Sequence, residues 1–124
     1  MAWIFRQSDG FLLHNGIVIA EGYSGYGAHA NHPADESLKN LGPIPTGTYT
    51  IGAPECCDVA GPHGPFVLPL TPSGQNTMFG RSNFLVHGDN AEGNHTASQG
   101  CIIMPKPVRV LIAQSDDQDL EVVA

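Results

Sequence analysis

A histidine and a cysteine carry the first chemical message of this chain. His87 closes the apolar run FLVH, and Cys101 stands fourteen positions later, between Gly100 and the pair Ile102-Ile103. A thiol is a weak nucleophile until something takes its proton, and a nearby imidazole is the usual base. Both residues sit at the edges of apolar segments, with a polar loop at 89–97 between them. That arrangement can bring two strand ends side by side. Gly88, directly after His87, permits close approach of backbone or substrate. Ser98-Gln99-Gly100 makes a flexible, polar approach to the thiol, and Gly100 lets the backbone turn N–H groups toward a bound carbonyl. On residue types alone, a buried structural cysteine and an unrelated histidine fit the same positions.

Other chemistry-bearing residues are read more modestly. Cys56 and Cys57 are adjacent. Neighbouring Cα atoms are too close for ordinary disulfide geometry, and no CxxC spacing accompanies them, so they read as small, partly buried residues. His29, His32 and Asp35 fall in HANHPAD, where Pro33 interrupts the helical histidine spacing of zinc proteases. A loop or lid beside a cleft is the better reading, with Tyr23, Ser24 and Tyr26 placed to line it. No metal or other cofactor is expected. His95 lies in the loop before the cysteine, in reach of a substrate or simply exposed. Asp89 is placed to fix that loop or the His87 tautomer. Arg81, six residues before His87, is one of only five cationic side chains and either pairs with a substrate carboxylate or anchors a loop.

The elements that must position these groups are short. Strands are expected at 3–6, 10–13 and 17–20, separated by turns at Ser8-Asp9-Gly10 and His14-Asn15-Gly16. Residues 22–31 are Gly-rich without periodicity and read as a structured loop. A short helical turn is expected within 33–40. Pro and Gly residues mark a turn before a strand at 48–51. Further strands are expected at 66–70 and 84–86, with loops at 54–65 and 89–97 and a turn at 71–76. Residues 101–104 are short and apolar. A helix over 108–114 follows Pro105 and Pro107, and 120–123 closes the chain as a strand.

Bulk composition agrees with a mainly β fold. The 124 residues suit one domain, 1–124, able to build a core without staples. Charged residues make up only 14%, while Gly (15) and Pro (10) are plentiful, as in a turn-rich β domain rather than a disordered chain. A net charge of −7 argues against binding nucleic acid or anionic lipid. No apolar run approaches a membrane span, so no membrane insertion is expected, and the N-terminus carries no recognisable signal peptide. The expectation is a protein made in the cytoplasm that leaves, if at all, by a route that reads no cleavable signal.

The order of the two reactive residues is itself informative. Papain-like enzymes place cysteine before histidine. Here His87-Gly88 comes first and Ser98-Gln99-Gly100-Cys101-Ile102 follows, which resembles the YkuD-like L,D-transpeptidase family, whose signature is His-Gly and then Ser-x-Gly-Cys-Ile. More narrowly, MAWIFRQSDG, GYSGYG, the segment 31–36, GPIPTGTYTIG, MFGRSNFLVHGD and TASQGCIIMP look like the type VI secretion L,D-transpeptidase effectors. The resemblance covers roughly the whole chain.

It implies a YkuD-like β-sandwich or barrel-like fold with one or two short helices. It implies an antibacterial toxin, injected by the type VI secretion machinery to act on peptidoglycan in the periplasm of a rival cell. A dedicated immunity protein would protect the producer. Cys101 and His87 would be catalytic, with Ser98, Gly88 and Gly100 completing the centre and a backbone carbonyl near Gly88 orienting the imidazole. Arg81, Tyr23, Ser24, Gln99 and His95 would meet the stem peptide. The reaction would be L,D-carboxypeptidase or L,D-transpeptidase chemistry through a Cys101 thioester. One departure is plain: many wall-building members carry Arg two residues after the nucleophile, and this chain has Ile103. Two other functions fit the same residues. One is a Cys–His amidase or endopeptidase cutting another peptidoglycan bond; the other is a non-catalytic wall-binding module.

Overall fold

Alternation of apolar and polar residues builds most of the molecule. The computed structural model describes residues 2–54, 66–89 and 98–124. The strands are β1 (Trp3–Arg6), β2 (Phe11–His14), β3 (Ile17–Glu21), β4 (Tyr23–Ser24), β5 (Gly47–Ile51), β6 (Leu68–Pro72), β7 (Leu85–His87), β8 (Ile102–Ile103) and β9 (Asp119–Val123). A single helix is described, α1 (Lys106–Gln114), along with 3-10 turns at Gly27–His29 and Pro33–Asp35. The strands form a nearly closed, barrel-like sheet in the order β3-β2-β1-β9-β5-β6-β7-β8-β4. The fold is thus mainly β, as the composition implied.

Every second residue of the central strands faces the core. Trp3 and Phe5, Tyr49 and Ile51, Leu68 and Leu70, and Leu120 and Val122 are buried, while Thr48, Thr50, Asp119 and Glu121 between them are exposed. The core gathers these with Leu12, Ile44, Phe84, Val86, Ile102, Met104 and Ile112. Trp3 stacks on His14 at 4.0 Å and donates from Nε1 to the Asp117 carbonyl, which seats the start of β9. Burial of this set is the main driving force of the fold, at about 1.5–3 kcal/mol for each large aliphatic or aromatic side chain.

Two pairings in the sheet are parallel: β1 with β9, and β7 with β8. Parallel neighbours need a crossover of a dozen or more residues. The fourteen residues 88–101 provide that length between β7 and β8.

The expected meander is present, with β2 starting one residue later than expected because Gly10 is in the left-handed region at φ +74°. The 22–31 segment departs from the expectation of a loop. Tyr23 and Ser24 form an antiparallel pair with Ile103 and Ile102. No β propensity announced it; the pairing exists because Gly22 lets the chain press against β8, where a Cβ would fall 1.9 Å from the Ile103 carbonyl oxygen. Cys56, Cys57 and His95 lie outside the described residues, as do most of the loops expected at 54–65 and 89–97.

Candidate active site

The register of β7 and β8 sets His87 against the strand that directly follows the cysteine. Val86 lies opposite Ile102 and His87 opposite Ile103. Val86 and Ile102 point into the core. Side chains alternate along a strand, so Leu85, His87 and Ile103 share the other face. Tyr23 of β4, opposite Ile103, joins them there. Cys101 directly precedes β8, beside Leu85. Its Sγ lies 3.8 Å from the Asn83 carbonyl oxygen and near the Leu85 backbone.

His87 is withdrawn from solvent, whereas Cys101 is half-buried. His87 is 2% exposed, and its Nδ1 is 2.8 Å from the carbonyl oxygen of Gly88. A carbonyl only accepts, so Nδ1 carries the proton and, in the neutral ring, Nε2 keeps the lone pair. Burial pushes the Cys101 thiol above its ordinary range; the Leu85 backbone and the Arg81 charge pull it back only in part. The resting sulfur is consequently a thiol at neutral pH, and any attack through it would need a base.

A buried hydrogen-bond cage holds the cysteine loop. Ser98, wholly buried, donates to the Cys101 carbonyl and accepts from the backbone N–H groups of Gly25 and Gly100. Ser24, equally buried, donates to the Gly100 carbonyl and accepts from the Ile44 N–H. Gly100 has φ +139°, and a Cβ there would fall 2.4 Å from Arg81 Nη2 and 2.7 Å from the Phe84 ring. No other residue meets both conditions. Because the Gly100 N–H is already given to Ser98, it is committed to the cage rather than to a substrate oxyanion.

Family membership can now be added to this geometry. The family model of the Tlde1 domain matches residues 18–123. The chain belongs to the Tlde1 domain family. These domains are type VI secretion effectors, which fits an antibacterial role, delivery into a target cell, and partners in the secretion machinery and an immunity protein. No curated protein and no solved structure matches the chain. Among the described residues, no helix is long and apolar enough to cross a membrane.

Within this Tlde1 domain the residues singled out from sequence fall into distinct places. His87, Gly88, Ser98, Gly100 and Cys101 gather at the β7–β8 junction. Ser24 is drawn in beneath them as part of the cage, away from solvent. Gln99 is exposed and its carbonyl accepts from Arg81. Arg81 itself is buried and donates to backbone carbonyls. Tyr23 lines a neighbouring cleft of about 560 Å³, together with Glu21, Gly88, Asp89, Ile103, Lys106 and Arg109. Its hydroxyl donates to Asp89 at 2.7 Å. His29 contacts Asp35 at 2.9 Å, tying the 29–35 segment to itself.

Arg109 escaped the sequence reading. It is 4% exposed, donates to the carbonyls of Phe66 and Met104, and comes within 3.1 Å of where a Gly88 Cβ would lie. A lone cation inside the apolar run VRVLIA was the available signal: a charge on the inner face of an amphipathic helix must be satisfied locally.

Proposed function

We propose that the chain is a cysteine L,D-carboxypeptidase or L,D-transpeptidase acting on peptidoglycan stem tetrapeptides, with a YkuD-like catalytic domain spanning residues 1–124. What supports this reading is the pairing of β7, which ends at His87, with β8, which directly follows Cys101, together with an imidazole tautomer set by the Gly88 carbonyl.

In the forward half-reaction, His87 Nε2 takes the proton from Cys101 Sγ as the sulfur bonds to the carbonyl carbon of the third stem residue. That residue is meso-diaminopimelate, attacked at its L-centre. The C–N bond to the terminal D-Ala then breaks, and the departing amine takes the proton from His87. A thioester remains on Cys101. Water or an amine then attacks it, losing its proton to His87, and the thiol returns. Water gives a shortened stem; a D-amino acid gives exchange. With Gly100 N–H committed to Ser98, the oxyanion would rely on other donors at the mouth of the site.

Ser98 and Gly100 act as positioning residues in this scheme. The cleft beside Gly88 offers Tyr23, Lys106 and Arg109 as contacts for the rest of the stem, in place of the Arg that Ile103 replaces. The loss of terminal D-Ala starves later cross-linking, which accounts for toxicity in the periplasm of the target cell.

Mass spectrometry of muropeptides after incubation tests the reading. Tetrapeptides are expected to lose D-Ala, or to exchange it when a D-amino acid is supplied, and Cys101→Ala is expected to abolish both. Cleavage between the second and third stem residues would assign an endopeptidase instead. An unchanged muropeptide profile would leave the wall-binding module. Full toxicity of Cys101→Ala directed to the periplasm would remove Cys101 as nucleophile.

A further inference from the structure

Arg81 lies between strands and is nevertheless 5% exposed. Its Nη1 donates to the carbonyls of Glu36 and Pro43, and its Nη2 to those of Gly42 and Gln99. The guanidinium carbon sits over the Phe84 ring, 5.2 Å from its centroid. Nη2 approaches within 2.4 Å of the point where a Gly100 Cβ would stand. A full positive charge is thus built into the wall immediately behind the Gln99-Gly100 peptide, next in the chain to the sulfur. Four neutral carbonyls satisfy its hydrogen bonds but do not cancel its charge. Keeping that charge buried is costly, and neutral donors would tie loops together at lower cost.

From this geometry we infer that Arg81 is a positioning residue of the Cys101 centre, clamping the 36–43 segment to the 99–100 peptide and presenting a fixed cation to the sulfur as it ionises. The inference rests on the reading of Cys101 as the nucleophile. Among the described residues, the charged and titratable groups around the pair are few. His87 ends β7, whose partner strand β8 follows Cys101, while Glu36 and Tyr49 act electrostatically on Arg81. Glu36 is itself engaged, accepting from the Thr46 N–H at 2.8 Å and from Gln7 Nε2 at 3.2 Å. In each partner burial disfavours the charged form and the other partner favours it, as expected of two charges that form against one another.

Iodoacetamide alkylation of Cys101 against pH, followed by peptide mass spectrometry to separate it from Cys56 and Cys57, tests this without any peptidoglycan. A protein inactive on cell walls therefore still yields a thiol titration that decides the matter. Arg81→Met is expected to raise the alkylation midpoint by about one pH unit, which is tenfold less thiolate at a fixed pH. Arg81→Lys keeps the charge but not the fork. It is expected to hold the midpoint near that of the parent protein while lowering the melting temperature and slowing alkylation of the thiolate itself. A folded Arg81→Met protein with an unmoved midpoint overturns the inference. Should Arg81→Met not fold, Arg81→Lys decides: parental thiolate reactivity and parental melting would overturn the positioning role.

Discussion

A protonated resting thiol has consequences for the individual residues. Burial holds the Cys101 proton on, so in the proposed reaction the rate of acyl transfer depends on the base that removes it. In that proposal His87 fills the role only while Nδ1 stays on the Gly88 carbonyl, because ring rotation would turn a proton toward the sulfur. His87→Gln keeps a polar side chain in the pocket but supplies no base. D-Ala release, measured on purified tetrapeptide, is expected to fall by about 10²–10⁴-fold. A loss of less than tenfold would take the general-base role from His87. These two residues were legible from sequence because their chemistry is local: a thiol, an imidazole, and glycines where the backbone must pass closely. Arg81 was visible as a scarce cation, but its surroundings were not. Whether a guanidinium meets substrate or four carbonyls depends on loops 36–43 and 99–100, which are distant in the chain.

Elements hold the site through unusually short pieces. β8 has two residues and β4 has two, so side-chain hydrogen bonds supplement the few backbone ones. Ser98 joins three backbone positions, at Gly25, Gly100 and Cys101. Ser98→Ala leaves the buried N–H and carbonyl groups unsatisfied and is expected to cost about 1–3 kcal/mol of unfolding free energy. Chemical denaturation would measure it. An unchanged denaturation midpoint would show that the cage does not hold the cysteine loop. The strands of the meander and of β5, β6 and β9 were readable from alternation, whereas β4 was not. Two residues of a Gly-rich segment carry no periodicity, and only the approach permitted by Gly22 makes them a strand.

At the scale of the whole molecule, the core and the site share a wall. Tyr49 of β5 is almost wholly buried, donates to the Pro45 carbonyl at 2.7 Å, and faces Arg81. Burial pushes its phenol well above the ordinary value, with Arg81 opposing and Glu36 adding to the shift. The folded state therefore holds this proton more tightly than the unfolded chain, whose phenol ionises near pH 10. The resulting stabilisation is complete below about pH 10 and is lost as pH rises from there. Thermal melts between about pH 9 and 12, a range chosen for the phenol, are expected to show a falling Tm. Tyr49→Phe should flatten that fall while costing about 1 kcal/mol at neutral pH. An equally steep alkaline decline in the variant would remove Tyr49 from the account.

The sequence by itself determined the candidate pair His87 and Cys101, its order, the mainly β class and most strand positions. Each depends on residue type or on a period of two, and both are written along the chain. Tertiary structure alone decided that β7 and β8 run parallel, that Cys101 directly precedes β8 beside Leu85, and that Ser24, Ser98 and Arg81 serve the loop from within. It also brought Arg109 from α1 to the back of Gly88. Those facts depend on contacts between segments that pair across long stretches of chain. A hydrogen bond or a buried charge takes its meaning from whatever the fold places opposite it.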